Sequence, residues 1–508
     1  MTASRRAPSI YLPLIGIAIA ALWPITAYAL NPFLLPAILA LAGAVALILW
    51  KPEYGLALAV ALTPFLGAQI YQASTVGINL PSAPLRILVP GIAFGVLLYG
   101  TLIRGQDTRR LPGVFWGIVL LVVAAVASAS QAIDPGKSVP DVFLLITGAA
   151  LFVGILNICR TRDQLLVVVG GALVGLLLTS VQGVIQHFTG VYSTLGFVVN
   201  GQALNRIQGS FGHPNEYAGY LAILLPFAVA VAVTKSLPAR LRALAVAAAV
   251  FAVPALVYSY ARAALVTLIL GALIWLLITR PRIAIWTAIG LAVAAIVLAP
   301  ASLKSRFSSS GGQDVSVRTD VATSAVDIYD KNPWLGVGIG NFQLAYEDLS
   351  FAQNPGQRRL LHNQQILVPT AAPSQYLNSL AEQGLLGVAA LGIFSIGAVV
   401  AAFRASRARD PSARGIGLGV GMSVAGLLLY SILEISFQED QVLALFVLLA
   451  IAAIAQEAFA PPSAASRPRG TSPRPGLPRR AHGSPGPGAA RARSPRARPA
   501  SPARSRPA

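Results

Sequence analysis

The residues best suited to chemistry in this 508-residue chain are a set of arginines at the edges of apolar runs: Arg86, Arg206, Arg262, Arg318, Arg358 and Arg359. A guanidinium presents a planar fork of donors that matches phosphate oxygens and stays charged at any relevant pH. Gathered at a membrane surface, such groups suit a lipid-linked phosphate or diphosphate. Arg262 is the most informative, because it stands alone in the short break between two apolar runs. An ionisable residue within a membrane segment is a functional candidate by default, although one near a span end can also snorkel harmlessly to the surface. Arg206 and His213 lie in a turn-rich stretch, RIQGSFGHPNEYAGY, that leads into a span, with Asn215 as the expected helix cap.

Other chemistries find little support. The histidines His187, His213, His362 and His482 have no spacing that fits a zinc-binding helix, and Cys159 is the single cysteine, so neither a metal site nor a disulfide is expected. There is no nucleophile elbow, and no cofactor is implied.

The elements that must position these groups follow from hydropathy. The chain is 55% hydrophobic and 11% charged, with a mean hydropathy of +0.69, against about 25% charged residues in soluble domains. The apolar runs are long and continuous rather than alternating, so they read as helices, the form that satisfies every backbone group in lipid. About fourteen runs reach the ~20 residues a span needs, from residues 10–29 to residues 442–459. The first follows Arg5 and Arg6 and reads as a start-transfer signal that stays in place. With the N-terminus inside, the basic connections, among them Lys51, Arg104, Arg160, Arg162, Lys235, Arg240, Arg280, Arg404 and Arg407, fall on the cytoplasmic side at every second turn.

Three regions are polar. Residues 189–216 and 302–382 face outward in this reading. In the longer one, Val317, Val321, Ala325 and Ile328 recur at helical spacing, and Asn332-Pro333 stops the helix. The run WLGVGIGNF that follows reads as a tight, close-packed turn, since no strand precedes it as a phosphate-binding loop requires. A second amphipathic helix is expected from Ser374, with Tyr376, Leu377, Leu380 and Ala381 facing inward and Glu382 at the membrane surface. The tail, residues 461–508, is rich in Arg, Pro and Ser and builds no core. It reads as a solvated extension or as a contact with anionic lipid. It has no aromatic residues for stacking on nucleic acid, so no nucleic-acid partner is expected.

Three blocks carry a likeness to a known family: GSFGHPNEYAGYLAILLP from Gly209, SYARAALVTLILGAL from Ser259, and the stretch from Arg318 through NPWLGVGIGNF to SQYLNSLAEQGLLG, ending at Gly387. In this order they resemble the O-antigen ligase and polymerase superfamily of the bacterial inner membrane. The resemblance implies an all-α, glycosyltransferase-C-like polytopic bundle with a large outward helical loop. It also implies a metal-independent glycosyltransferase working on the outer face of the cytoplasmic membrane. The partners implied are an undecaprenyl-diphosphate-linked glycan donor and a glycan or lipid acceptor. Arg262 and Arg318 match the arginines thought to hold the diphosphate, and Arg206 could join them, with Arg86 and His213 as secondary candidates. The family usually places a histidine just before the Tyr-Leu of the last loop helix, where this chain has Pro373. A His-Asn pair, His362-Asn363, stands earlier, so the acid-base role falls to His362, or to Glu382, or is absent.

The expected organisation is N-terminal spans over 1–188, a ligase-like core over 189–403 that includes the loop 302–382, C-terminal spans over 404–460, and the cytoplasmic tail. Two other classes remain open: a small-anion transporter of the same superfamily, and a non-catalytic subunit of a polysaccharide export system.

Overall fold

A computed structural model describes residues 43, 46–66, 83–98, 111–190, 194–199, 202–287, 290, 312–353, 369–437 and 441–459. All belong to the first of two units into which the chain divides, residues 1–460 and 461–508. The tail, His362, Arg358 and Arg359 lie outside the described residues.

The order of helices is α1 (Pro52–Leu62), α2 (Ala83–Leu98), α3 (Gly113–Ala129), α4 (Pro135–Ile158) and α5 (Arg162–Thr189). A hairpin of β1 (Thr194–Val199) and β2 (Gln202–Arg206) follows, then α6 (Pro214–Val233), α7 (Ala239–Tyr258) and α8 (Arg262–Thr279). The polar loop contributes α9 (Gly312–Lys331) and α10 (Phe342–Gln353), and the chain closes with α11 (Gln375–Ser406), α12 (Pro411–Leu433) and α13 (Gln441–Ala458). The helix starts are locally encoded. Asp134 and Asp410 cap α4 and α12 with proline in the first turn, Thr161 and Gln164 form a capping box on α5, and Ser374 caps α11.

Among the described residues, eight helices are long and apolar enough to cross a bilayer: α4 to α8 and α11 to α13. The structure thus supports a helical membrane protein, and the expected count of about fourteen goes beyond the described residues. Of three further expected spans, α1 gives way to a 3-10 turn over Thr63–Phe65, α2 ends where the described residues end, and α3 has 17 residues. The expected spans over 10–29, 33–50 and 283–301 fall wholly or largely outside the described residues. The all-helical expectation also needs an amendment, since β1 and β2 pair antiparallel, with Thr194 opposite Arg206 and Val199 opposite Gln202.

The protein is a helical membrane protein. α13 is buried along almost its whole length, packed among α4, α6, α11 and α12. The peripheral helices instead leave large side chains uncovered, such as Val250, Leu270, Ile274 and Leu277. Apolar surface on this scale suits lipid rather than water.

The two ends of the bundle differ. At one end the start of α5, the end of α6 and the start of α12 meet: Arg162 Nη2 donates to the Ser236 carbonyl at 3.1 Å, and the Ser236 and Ser412 hydroxyls lie 2.9 Å apart. This end carries Arg160, Arg162, Lys235, Arg404, Arg407 and Arg414. The opposite end carries the end of α7, the starts of α6, α8 and α11, and the end of α12.

At that second end, α11 is broken. Gly384 takes φ 63° inside it, so residues 375–383 form a short separate helix before the span proper. The freed backbone groups are met by the glycine-rich turn, residues 333–341. Val337 and Gly338 donate to the carbonyls of Ala381 and Glu382 (3.1 and 2.9 Å), and Leu385 and Leu386 donate to those of Pro333 and Trp334 (2.8 and 3.3 Å). A lipid-embedded break is tolerated only with such replacement partners. On its other side the turn is stitched to the start of α4: Ser138 Oγ donates to the Ile339 carbonyl at 2.6 Å, and Asn341 Oδ1 accepts from Asp134 N–H at 2.8 Å. Gly338 has φ 101°, and a Cβ there would stand 2.5 Å from Ala132 Cα. The tight turn read from the sequence is thus a strap closing a broken helix.

Candidate active site

β2 ends on Arg206, which is buried. Its Nε–H donates to the Ser259 carbonyl at 2.8 Å, in the reversal between α7 and α8, and its Nη2 donates to Asn215 Oδ1 at 2.6 Å. The reversal holds Tyr260 at φ 53° and delivers Arg262 as the first residue of α8, partly buried. Arg206 therefore braces the turn that carries Arg262.

Asn215 was expected to cap α6, but His213 does so: its Nδ1 accepts the Asn215 N–H at 3.1 Å. Released from capping, the Asn215 side chain reaches outward from Arg206 and donates through Nδ2 to Glu434 Oε1 at 3.0 Å. The same oxygen receives Arg318 Nη2 at 2.9 Å, and Arg318 Nη1 donates to the Leu433 carbonyl at 2.8 Å. A continuous polar chain thus runs from the Arg262 turn through Arg206, Asn215 and Glu434 to Arg318. Tyr430 Oη fixes the Asn215 carbonyl at 2.8 Å.

This chain borders a cavity of about 320 Å³ lined by His213, Asn215, Glu216, Arg318, Pro373 and Glu434, among others. Small-ligand sites begin near this size. His213 is exposed to the cavity. The protein packed around its ring, and then the Arg206 charge, push its pKa down to about 4, so the ring is neutral at physiological pH. Because Nδ1 accepts a hydrogen bond, the neutral ring carries its proton on Nε2.

Glu382 does not join this polar chain. Glu382 was placed at the membrane surface, but it is buried. Oε1 accepts the Phe342 N–H at the start of α10 (2.9 Å), and Oε2 accepts Asn378 Nδ2 (3.1 Å). It is not among the described residues lining the cavity. The helix around it meets the expectation only in part: Ala381 is buried and Tyr376, Leu377 and Leu380 partly so, but the polar Gln375, Asn378, Ser379 and Glu382 are buried as well. The polar face points inward because it supplies hydrogen bonds to the strap and the neighbouring turn, a demand that apolar periodicity cannot register. Arg86 lies on α2, with its side chain outside the described residues.

Sequence reasoning passed over Glu434 and Gln375. Gln375 Oε1 accepts the Ser436 and Phe437 N–H groups at 2.8 and 2.9 Å, fixing the turn just after Glu434. A signal for Glu434 was present: an acidic residue directly after an apolar run, in a chain with 18 Asp and Glu in all, meets the same test that singled out Arg262.

A polytopic helical membrane protein with arginines converging at one end of its bundle is the class that fold and site define. Residues 247–392, less than a third of the chain, match the family model described as O-antigen ligase. No curated protein matches the chain. The matched stretch contains Arg262, Arg318 and Glu382. Arg206, His213, Asn215 and Glu434 lie outside it, on both sides.

Proposed function

We propose that this protein transfers or polymerises a glycan from an undecaprenyl-diphosphate donor at the outer face of the cytoplasmic membrane, as a cell-surface polysaccharide ligase or polymerase. The observation that carries this reading is the joining of Arg206 and Arg318 through Asn215 and Glu434 beside the cavity, with Arg262 on the turn that Arg206 braces. Charge grows on the lipid diphosphate as it leaves the sugar. Fixed guanidinium groups in a site of low dielectric stabilise that charge without reorganising at the moment of reaction. The neutral His213 Nε2–H adds a donor for a sugar or phosphate oxygen.

The charge distribution supports the outward orientation. The arginine-rich connections lie at the end of the bundle opposite the cavity, and such connections stay cytoplasmic. In this reading residues 189–403 form the core and the acceptor enters from the outer surface. Among the acid-base candidates, His362 is a proposal carried by the motif alone.

The test is complementation of a strain lacking the chromosomal copy. Arg262→Ala and Arg318→Ala should abolish surface polysaccharide while the lipid-linked donor accumulates. Full complementation by both variants would discard the reading.

A further inference from the structure

Glycan transfer to a hydroxyl group releases a proton, and something at the cavity must take it. Three titratable side chains on the described wall could. His213 cannot accept at Nδ1 without giving up the cap of α6, and its other nitrogen already bears a proton. Glu216 folds back on the start of its own helix, its Oε2 lying 3.6 Å from where a Cβ on Gly212 would stand, a position where the helix dipole holds a carboxylate.

Glu434 differs in geometry. Its carboxylate is oriented by two donors on one oxygen, Asn215 Nδ2 and Arg318 Nη2, both on Oε1. Its backbone is fixed from both sides, by the Tyr430 carbonyl accepting its N–H at 2.9 Å and by Gln375 holding the next turn. Among the described residues no donor reaches Oε2, on a carboxylate that lines the cavity and is 17% exposed. A general base needs this combination of a fixed position, a free lone pair and access to the reacting hydroxyl.

We propose that Glu434 is the proton acceptor of the transfer. The inference rests on the glycan-transfer reading above. The acceptor hydroxyl oxygen bonds to the anomeric carbon as the bond from that carbon to the diphosphate oxygen breaks. The electron pair of the broken bond leaves with the lipid diphosphate, and the hydroxyl proton passes to Glu434 Oε2. A neutral Glu434 no longer holds Arg318 as an ion pair. The guanidinium charge is thereby released toward the leaving diphosphate in the same step, and the proton is returned to water when product departs.

The experiment uses the full-length chain in membranes. Glu434→Gln keeps the shape and an oxygen for Asn215 and Arg318 but cannot take a proton. Its transfer, read as surface polysaccharide and as donor turnover in membrane vesicles, should fall by about 100-fold or more. Binding of farnesyl diphosphate, used as a short polyprenyl diphosphate probe, should stay within about 3-fold of the parent protein, since the arginines are intact. Glu434→Asp should retain partial turnover. Transfer at the parent's rate by Glu434→Gln would overturn the proposal. So would a parallel loss of transfer and farnesyl diphosphate binding, which would make Glu434 only a support for Arg318. Failure of the parent reading looks different: Arg262→Ala and Arg318→Ala would then complement fully.

Discussion

Two glutamates at the same end of the bundle, Glu382 and Glu434, have opposite tasks because their surroundings differ. Glu382 stands inside the matched stretch, yet both its oxygens are taken, one by the first amide of α10 and one by Asn378, in a buried site beneath the strap. Glu434 stands outside that stretch, at the end of α12, on the cavity wall, with one oxygen shared by Asn215 and Arg318. A carboxylate whose lone pairs are all engaged by buried donors braces a fold. One that is oriented by a single oxygen stays available for chemistry. The strap region is built for rigidity, and in the proposed function the cavity region meets the substrate.

This contrast can be broken or sharpened by experiment. The largest effect belongs to the cavity: Arg318→Ala should lower transfer by about 100- to 1,000-fold, the range seen when one charge-stabilising donor is removed, with protein level in the membrane unchanged on immunoblot. Next comes the strap. Gly338→Ala must adopt φ 101° and push Ala132 aside, and should cost about 3 kcal/mol in unfolding free energy, read as a lower thermal midpoint and reduced protein level. Glu382→Gln should cost about 1–3 kcal/mol. Its amide nitrogen would face Asn378 Nδ2, and Asn378 cannot rotate without losing the Ala372 N–H held by its Oδ1 at 2.9 Å. The specific activity of the protein that does fold should match the parent. Loss of turnover in fully folded Glu382→Gln would place Glu382 in the chemistry and erase the contrast.

The smallest effect is a pH dependence. The folded value of His213 lies near 4, below its ordinary 6.5. Between these values the unfolded chain binds a proton that the folded chain does not, so this residue's contribution to stability is present above pH 6.5 and is lost as pH falls toward 4. Asparagine is also a good helix cap, so His213→Asn should flatten the drop in thermal midpoint between pH 7 and pH 4.5 without altering the value at pH 7.

Much of the frame was legible without coordinates. The helix α9, with Val321, Ala325 and Ile328 on its buried face, and its stop at Asn332-Pro333 follow local periodicity and turn chemistry. Ser374 as a cap was legible for the same reason. The end of α1 was less so, because hydropathy averages over Pro64, where the backbone turns into a 3-10 helix. The inward polar face of residues 375–383 was not legible, since its partners lie in the strap and beyond α12.

By itself the sequence determined that this is a membrane bundle of apolar helices and that its arginine-rich connections collect on one side. These follow from solvation, which acts on each segment independently of its neighbours. The tertiary structure alone decided which carboxylate serves Arg318. Glu434 meets Asn215 across 219 positions and Arg318 across 116. A hydrogen bond between residues so distant in the chain leaves no periodicity and no local composition to read. It exists only because the packed helices bring the end of α12 beside the start of α6.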